Sequence, residues 1–465
     1  MTSESKLPLV LACGGSFLAF VDVTITNLAV PELAGDFNVG VGSLSWVVTL
    51  YTVLFASLLA PAGRLADVLG RRRLFALGVG VFTLASALAA AAPSFPTLLV
   101  ARGAQGIGAA LLMPASLAFV LADTAPARRS LAIGLWSASA SVAAAAGPAL
   151  GGVLVDLLGW RALFCLNLPI GTWLLWRTLR LPALAERTGR LPDLAGAGLV
   201  FGAVGLLVLG ITEAPSWGWT DPRTLAALVG ALLFTVAALL RAAAHEAPAI
   251  EMALWRNRTY AAANLSSLLF GAALYASLLL GVLFLVEAWG YSELEAGLAM
   301  TPGAVASAAV GIAIGRVARK PSPRALVFGG GLLIAATSAA LALWLPSDPH
   351  FLTAWLPGGL GLGLGMGAVS VGVSSAAALS VEPARFAGAT GLNIAARQVG
   401  GAVGIAVLAA ILEGRVAADG IRPFLDVYWM MAAVSLGAGL VGLRLVVAPP
   451  QPTPATQGAV PEPAR

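Results

Sequence analysis

Charge is scarce in this chain. Asp, Glu, Lys and Arg make up 11% of its 465 residues, against about 25% in soluble globular domains. So few charges cannot cover a water-facing surface. The 59% of residues that are hydrophobic exceed what a soluble core could bury, so the solvent for much of the chain is lipid. Cysteine is rarer still: Cys13 and Cys165 are the only two, which excludes a disulfide framework and any cysteine-based metal spacing, and no metal site is expected. The two histidines, His245 and His350, fall in connecting segments, and no nucleophile–base set accompanies them, so an enzyme is not expected. The glycines at 358, 359, 361, 363, 365 and 367 precede neither a strand nor a Lys-Ser/Thr pair. They are no nucleotide-binding loop, and an ATP-driven pump is excluded. The net charge of +5 is scattered over short loops rather than gathered in a patch, so no nucleic-acid partner is implied.

Long apolar runs are what the chain has instead. Stretches of roughly 18–25 apolar residues, each able to span a bilayer as a helix, lie between turn signals. Fourteen can be marked off, at about 8–31, 43–62, 74–93, 97–121, 130–154, 162–180, 194–212, 224–241, 259–286, 295–315, 325–345, 352–378, 387–411 and 427–447. Basic residues mark cytoplasmic loops, and 21 of the 27 Lys and Arg fall in alternate segments that include both termini. The other loops hold Arg161, Arg223, Arg415 and Arg422, while Arg102 and Arg397 lie within spans. The expectation is a multi-pass protein of the cell membrane with both ends cytoplasmic. The first span carries Asp22 and runs past signal-sequence length, so it is expected to stay as a helix. Abundant glycine, 54 residues, suits helices packed backbone to backbone. The Pro-rich tail 448–465 reads as a disordered cytoplasmic end.

Between the second and third spans lies Gly63-Arg64-Leu65-Ala66-Asp67-Val68-Leu69-Gly70-Arg71-Arg72-Arg73. An acid in a basic turn, framed by glycines seven apart, is more than an ordinary cytoplasmic loop requires. It resembles the signature loop of the major facilitator superfamily, with Gly63, Asp67, Gly70 and Arg71 as the gating positions. Val21-Asp22-Val23-Thr24-Ile25-Thr26-Asn27-Leu28-Ala29-Val30-Pro31 is similar to the first-helix signature of the 14-helix drug:proton antiporter branch. Arg102-Gly103-Ala104-Gln105-Gly106-Ile107-Gly108-Ala109-Ala110 resembles its fourth-helix motif. Ala143-Ala144-Ala145-Ala146-Gly147-Pro148-Ala149-Leu150-Gly151-Gly152 resembles the antiporter motif associated with exporters. There Gly147 and Gly151 would form a close-packing face with Gly152 beside them, and Pro148 would bend the helix. Further likenesses at 159–171, 193–196 and 388–404 extend the resemblance over nearly the whole chain. It implies an all-α membrane fold of two six-helix bundles, 1–180 and 259–447, with an inserted helix pair at 181–258. It also implies a substrate site at mid-membrane between the bundles.

An acid within a span is a functional candidate by default. Asp22 lies roughly 14 Å from the outer end of its span and Arg102 roughly 9 Å from the outer end of the fourth, so the two share a depth within an arginine's reach. Thr26, one turn on, could hydrogen-bond the carboxylate. The resemblance implicates this arginine in proton relay; an acid or arginine that merely pins helices is the alternative for each. Asn27, Gln105, Trp136, Tyr275, Asn393 and Arg397 join Thr26 as candidates for a cavity lining, and Arg397 serves equally well as a structural pin. The second-half counterpart of the basic loop, 315–322, has Arg319 where the acid would stand, so any gating pair is asymmetric. No acid stands at a span centre in the second half, which favours neutral or monocationic lipophiles over dications. The expectation is proton-coupled export of small lipophilic drugs or antibiotics by alternating access. The proton gradient would serve as the energy source, without a cofactor, and the transporter would act as a monomer among membrane lipids. An importer or facilitator of another small molecule on the same fold is the alternative.

Overall fold

A computed structural model describes residues 7–26, 29–39, 41–181, 193–246, 248–249, 251–316, 321–412 and 420–446. Asn27, Arg319, most of the 181–193 linker and the tail lie outside them. The described residues are helical throughout, without a strand. In chain order the helices are α1 (Leu7–Thr26), α2 (Val30–Phe37), α3 (Val41–Leu69), α4 (Arg71–Ala90), α5 (Phe95–Ala122), α6 (Arg129–Leu158), α7 (Arg161–Cys165) and α8 (Asn167–Leu179). They continue as α9 (Leu194–Trp217), α10 (Pro222–Ala244), α11 (Met252–Trp255), α12 (Arg258–Leu283), α13 (Glu293–Arg316), α14 (Pro323–Trp344), α15 (Leu356–Leu379), α16 (Phe386–Leu412) and α17 (Arg422–Gly442).

Among the described residues, twelve helices are long and apolar enough to cross a membrane. Twelve of the fourteen expected spans coincide with these helices; the fifth and sixth are not among them. The fifth corresponds to α6, 30 residues long. The sixth is divided at Leu166 into α7 and α8, leaving α8 only 13 residues. Pro169 explains the division, because it has no N–H to continue the ladder back across the break.

Local chemistry sets the helix ends. Gly70 joins α3 to α4 at φ +106°, a backbone conformation that a Cβ would oppose. Asp221, Asn257 and Ser322 each cap the helix that follows, accepting from Arg223 N, Thr259 N and Ala325 N at 2.8, 2.9 and 3.2 Å. Proline opens α10 and α14, where its missing N–H costs nothing.

The two largest apolar clusters lie in different parts of the bundle. One gathers Phe75, Phe82, Leu112, Phe119 and Trp136 from α4–α6. The other centres on Phe284, Trp289, Trp355 and Phe424, with Phe284 stacked on Trp355 at 5.9 Å. Glycine lets helices of the two halves meet. A Cβ on Gly63 would collide with the carbonyl of Ala387, and one on Gly134 with that of Gly311, so α3 abuts α16 and α6 abuts α13 at backbone distance. Helix α9 packs on both α3 and α16, while α10 packs on α9 and turns Leu232, Leu233 and Leu240 outward, where lipid is their solvent.

Candidate functional site: a buried carboxylate and a latch between the halves

Asp22 sits fully buried in α1 and is surrounded by donors. Arg102 on α5 pairs with its Oδ2 at 2.7 Å. Gln105, one turn on, donates to Oδ1 at 3.0 Å, and Asn167, at the start of α8, donates to the same oxygen at 2.7 Å. Both amides also donate to Ser86 Oγ on α4, at 2.8 and 3.3 Å. Arg102 has further partners: its Nε donates to the Val47 carbonyl at 2.9 Å, its Nη1 also to Gln105 Oε1 at 2.7 Å, and it stacks over the Tyr51 ring at 4.6 Å. A buried ion pair offsets its desolvation only when its remaining donors and acceptors are satisfied, and here nearly all are. The exception is Asn167 Oδ1, which has no hydrogen-bond donor among the described residues.

The cavity candidates divide. Thr26 does not reach the carboxylate: it donates to the Asp22 carbonyl at 2.7 Å, since a threonine on a helix finds the carbonyl one turn back before a side chain. Trp136 lines no cavity. It is 1% exposed, and its indole donates to Ser116 Oγ at 2.9 Å inside the first-half core. Asn393 pins α16 to α12, accepting from Ser267 at 3.2 Å and donating to the Ala263 carbonyl at 3.3 Å. Gln105 belongs to the Asp22 cluster, and Asn27 lies outside the described residues. Tyr275, half-buried on α12, donates to Gln398 and neighbours Arg397, which is 4% exposed. In α6, a Cβ on Gly147 would collide with the Thr24 hydroxyl, so this glycine brings α6 against α1. Gly151 is buried beside it, whereas Gly152 faces open space and Pro148 lies within the helix.

The basic loop forms a second site, and it joins the halves. Arg71 donates to Asp67 Oδ1 at 3.2 and 3.0 Å. Asp67 reaches across to the start of α16, where it accepts from Ala387 N at 3.1 Å and Gly388 N at 2.7 Å. A carboxylate at a helix N-terminus satisfies orphan donors and complements the helix dipole. Arg71 also donates to the Pro383 carbonyl. Glu251 is a residue that sequence reasoning missed. From the linker after α10 it pairs with Arg64 at 2.8 Å and with Arg385 at 3.1 Å, bridging the first half to the second. Its only signal was an acid in a segment that is basic further on.

Glu213 was missed as well. It is 3% exposed near the end of α9 and accepts from Thr49 on α3 at 3.0 Å. The expected span boundary at 212 had left it in a loop, so Asp22 is not alone as a buried acid.

Against this geometry the comparisons with known proteins are direct. A family model described as Major Facilitator Superfamily matches residues 12–192. Multidrug resistance protein Stp of Mycobacterium tuberculosis is 36% identical over 91% of this chain and 79% of its own length. The chain belongs to the major facilitator superfamily. This superfamily member is also similar to the methylenomycin A resistance protein of Bacillus subtilis, at 33% identity over 87% of both chains. The cephamycin export protein CmcT of Amycolatopsis lactamdurans is 34% identical over 88% of this chain and 85% of its own. The crystal structure of the human organic anion transporter MFSD10 (TETRAN) superposes with a TM-score of 0.67, covering 94% of this chain and 99% of that one. At 17% identity that likeness speaks to the fold alone. The protein is thus a multi-pass member of a transporter family.

Proposed function

We propose that this protein exports small lipophilic compounds, antibiotics among them, across the cell membrane in exchange for protons, by alternating access. The transporter acts as a monomer with fourteen spans and both ends in the cytoplasm, so the loop bearing Asp67 is cytoplasmic. The resistance and export proteins among its relatives support the cargo class. The observation that carries the proton coupling is Asp22: a fully buried carboxylate held by Arg102, Gln105 and Asn167.

Asp22 can report its protonation to the rest of the molecule. Ionised, it ties α1 to α5 and α8 through the donors above. Protonated, it releases Arg102, whose charge then lacks its counterion. Helix α1 also meets α6 at Gly147, and α6 meets α13 of the other half at Gly134 and Gly311. A change at Asp22 therefore has a contiguous packed route to the interface that must rearrange. In the cycle, cargo enters from the cytoplasm with Asp22 ionised. Outward opening exposes Asp22 to higher proton activity, protonation favours release, and the neutral carboxyl returns inward. Exchange requires only that proton and cargo stabilise different states.

The test is efflux against a concentration gradient in proteoliposomes with an imposed pH difference. Asp22→Asn should abolish concentrative transport while some cargo binding remains. Asp22→Glu should retain part of the activity with a shifted pH profile. Concentration of cargo by Asp22→Asn at the wild-type rate would place the coupling proton elsewhere.

A further inference from the structure

Two arginines lie within the spans, and their surroundings differ in kind. Arg102 is neutralised by Asp22 and bonded further to Val47 and Gln105. Arg397 stands about 16 Å along α16 from its first residue and is 96% buried, as its 4% exposure states. Among the described residues no carboxylate lies within ion-pair distance of it, and no hydrogen bond from its guanidinium is made. The buried acids of the described spans are engaged elsewhere, Asp22 with Arg102, Asp67 with Arg71 and Glu213 with Thr49. A guanidinium cannot escape burial by losing its proton, so Arg397 is a permanent, buried cation with no counterion among the described residues. Beside it in sequence, Gln398 accepts from the Tyr275 phenol, which interacts electrostatically with Arg397 and with Tyr51 beneath Arg102. Helix α16, which carries Arg397, packs against α3 and α5 of the first half as well as against α12.

We propose that Arg397, with Tyr275 and Gln398 beside it, is the anchoring subsite for one anionic group, a carboxylate, on the lipophilic cargo. This rests on the export reading and replaces the preference for neutral or monocationic cargo drawn from the absence of acids. A planar carboxylate matches the guanidinium fork and can take two parallel hydrogen bonds from it. One negative charge neutralises the centre, because Asp22 and Arg102 already cancel. Cargo and proton then act through different open states of the protein, not by competing for one charge.

Purified full-length protein in detergent, followed by thermal unfolding, tests the subsite. The probes are 2-naphthoate, 1-pyrenebutyrate and octanoate, each beside its methyl ester, with sodium chloride alone as control. Wild type should be stabilised by at least one carboxylate and not by its ester. Arg397→Gln should bind that carboxylate about 10- to 100-fold more weakly, and Arg397→Lys should keep part of the preference. Empty Arg397→Gln should melt above empty wild type, because a buried charge has been removed; a structural pin would melt lower. Equal binding of acid and ester, no response to any carboxylate, the full effect from chloride alone, an unchanged preference in Arg397→Gln, or a lower melting point of empty Arg397→Gln would each overturn the assignment. Proton-driven accumulation of an uncharged or cationic dye in inverted vesicles separates the two readings. Dye transport without carboxylate preference removes the subsite alone. Carboxylate binding with no proton-driven movement of any probe removes the export reading alone.

Discussion

Asp22 shows how far one side chain can depend on its neighbours. Removing its charge leaves Arg102 buried and unpaired, and breaking a buried pair from one side costs about 3–5 kcal/mol. Asp22→Asn should therefore lower the melting temperature as well as uncouple transport, which confounds a simple activity assay. The double variant Asp22→Asn/Arg102→Met separates the two effects. It should recover most of the lost stability while transport stays uncoupled, since no titrating group has been restored. Recovery of coupling together with stability would show that Asp22 is a structural pin. The geometry explains why such a pair is tolerated at all: the carboxylate has a donor for each oxygen and the guanidinium has acceptors on two helices.

At the scale of elements, the antiporter stretch acts through one glycine more than through its whole string. A methyl on Gly147 would collide with the Thr24 hydroxyl and lie 2.6 Å from its Cβ. Thr24 is β-branched and bonded back to Val21 at 2.9 Å, so it has little room to give. Gly147→Ala should cost about 1–3 kcal/mol, read as a lower melting temperature. Adding Thr24→Ala should rescue only part, because the Cβ remains in the way. Gly152 faces open space, and Gly152→Ala should leave stability unchanged.

The inserted pair is tied differently. Asp193, just before α9, is bound by Arg241 of α10 at 2.8 Å, and the hydrogen bonds from that guanidinium hold its carboxyl down at about 2. A depressed carboxylate contributes its stability above its unfolded value of about 3.9 and loses it as pH falls through about 2. The tie is therefore complete across pH 5–8. Asp193→Asn should lower the melting temperature at pH 7 without changing the shape of the transport pH profile; a shifted profile would mean that Asp193 takes part in coupling.

Across the whole molecule, the end bearing the basic loop is closed by three connections between the halves. Asp67 caps α16, Gly63 and Gly134 allow backbone contact, and Glu251 bridges Arg64 to Arg385. Among them lies a cavity of about 20 Å³ bordered by the latch residues Arg64, Asp67, Glu251 and Arg385 and by Ala60, Tyr260 and Leu392, enough for one water. Asp67→Asn and Glu251→Gln should each open this end more often. With Cys13 and Cys165 replaced, a cysteine introduced as Ala60→Cys should then react with a water-soluble maleimide several-fold faster than in the parent. Unchanged labelling would deny the latch its gating role. Neutralising Arg319, whose loop has no acid at the matching position, should leave labelling and transport as they were.

Composition alone determined that lipid is the solvent, because no soluble surface can be made from so little charge. Loop glycines announced the α3–α4 corner, because the φ of +106° at Gly70 is a local requirement that only local sequence can meet. The shared depth of Asp22 and Arg102 was legible by counting residues, since helix rise converts sequence separation into height. Rotation about the helix axis and the choice of neighbour have no such ruler, and only the tertiary structure decided them. It turned Trp136 toward Ser116 and Thr26 toward its own backbone, and it brought Asn167 to Asp22 across 145 residues. It likewise placed Glu251 between two arginines from opposite halves and left Arg397 without a counterion among the described residues. Those outcomes depend on how helices distant in sequence pack against one another, a property of the assembled bundle and of no single segment.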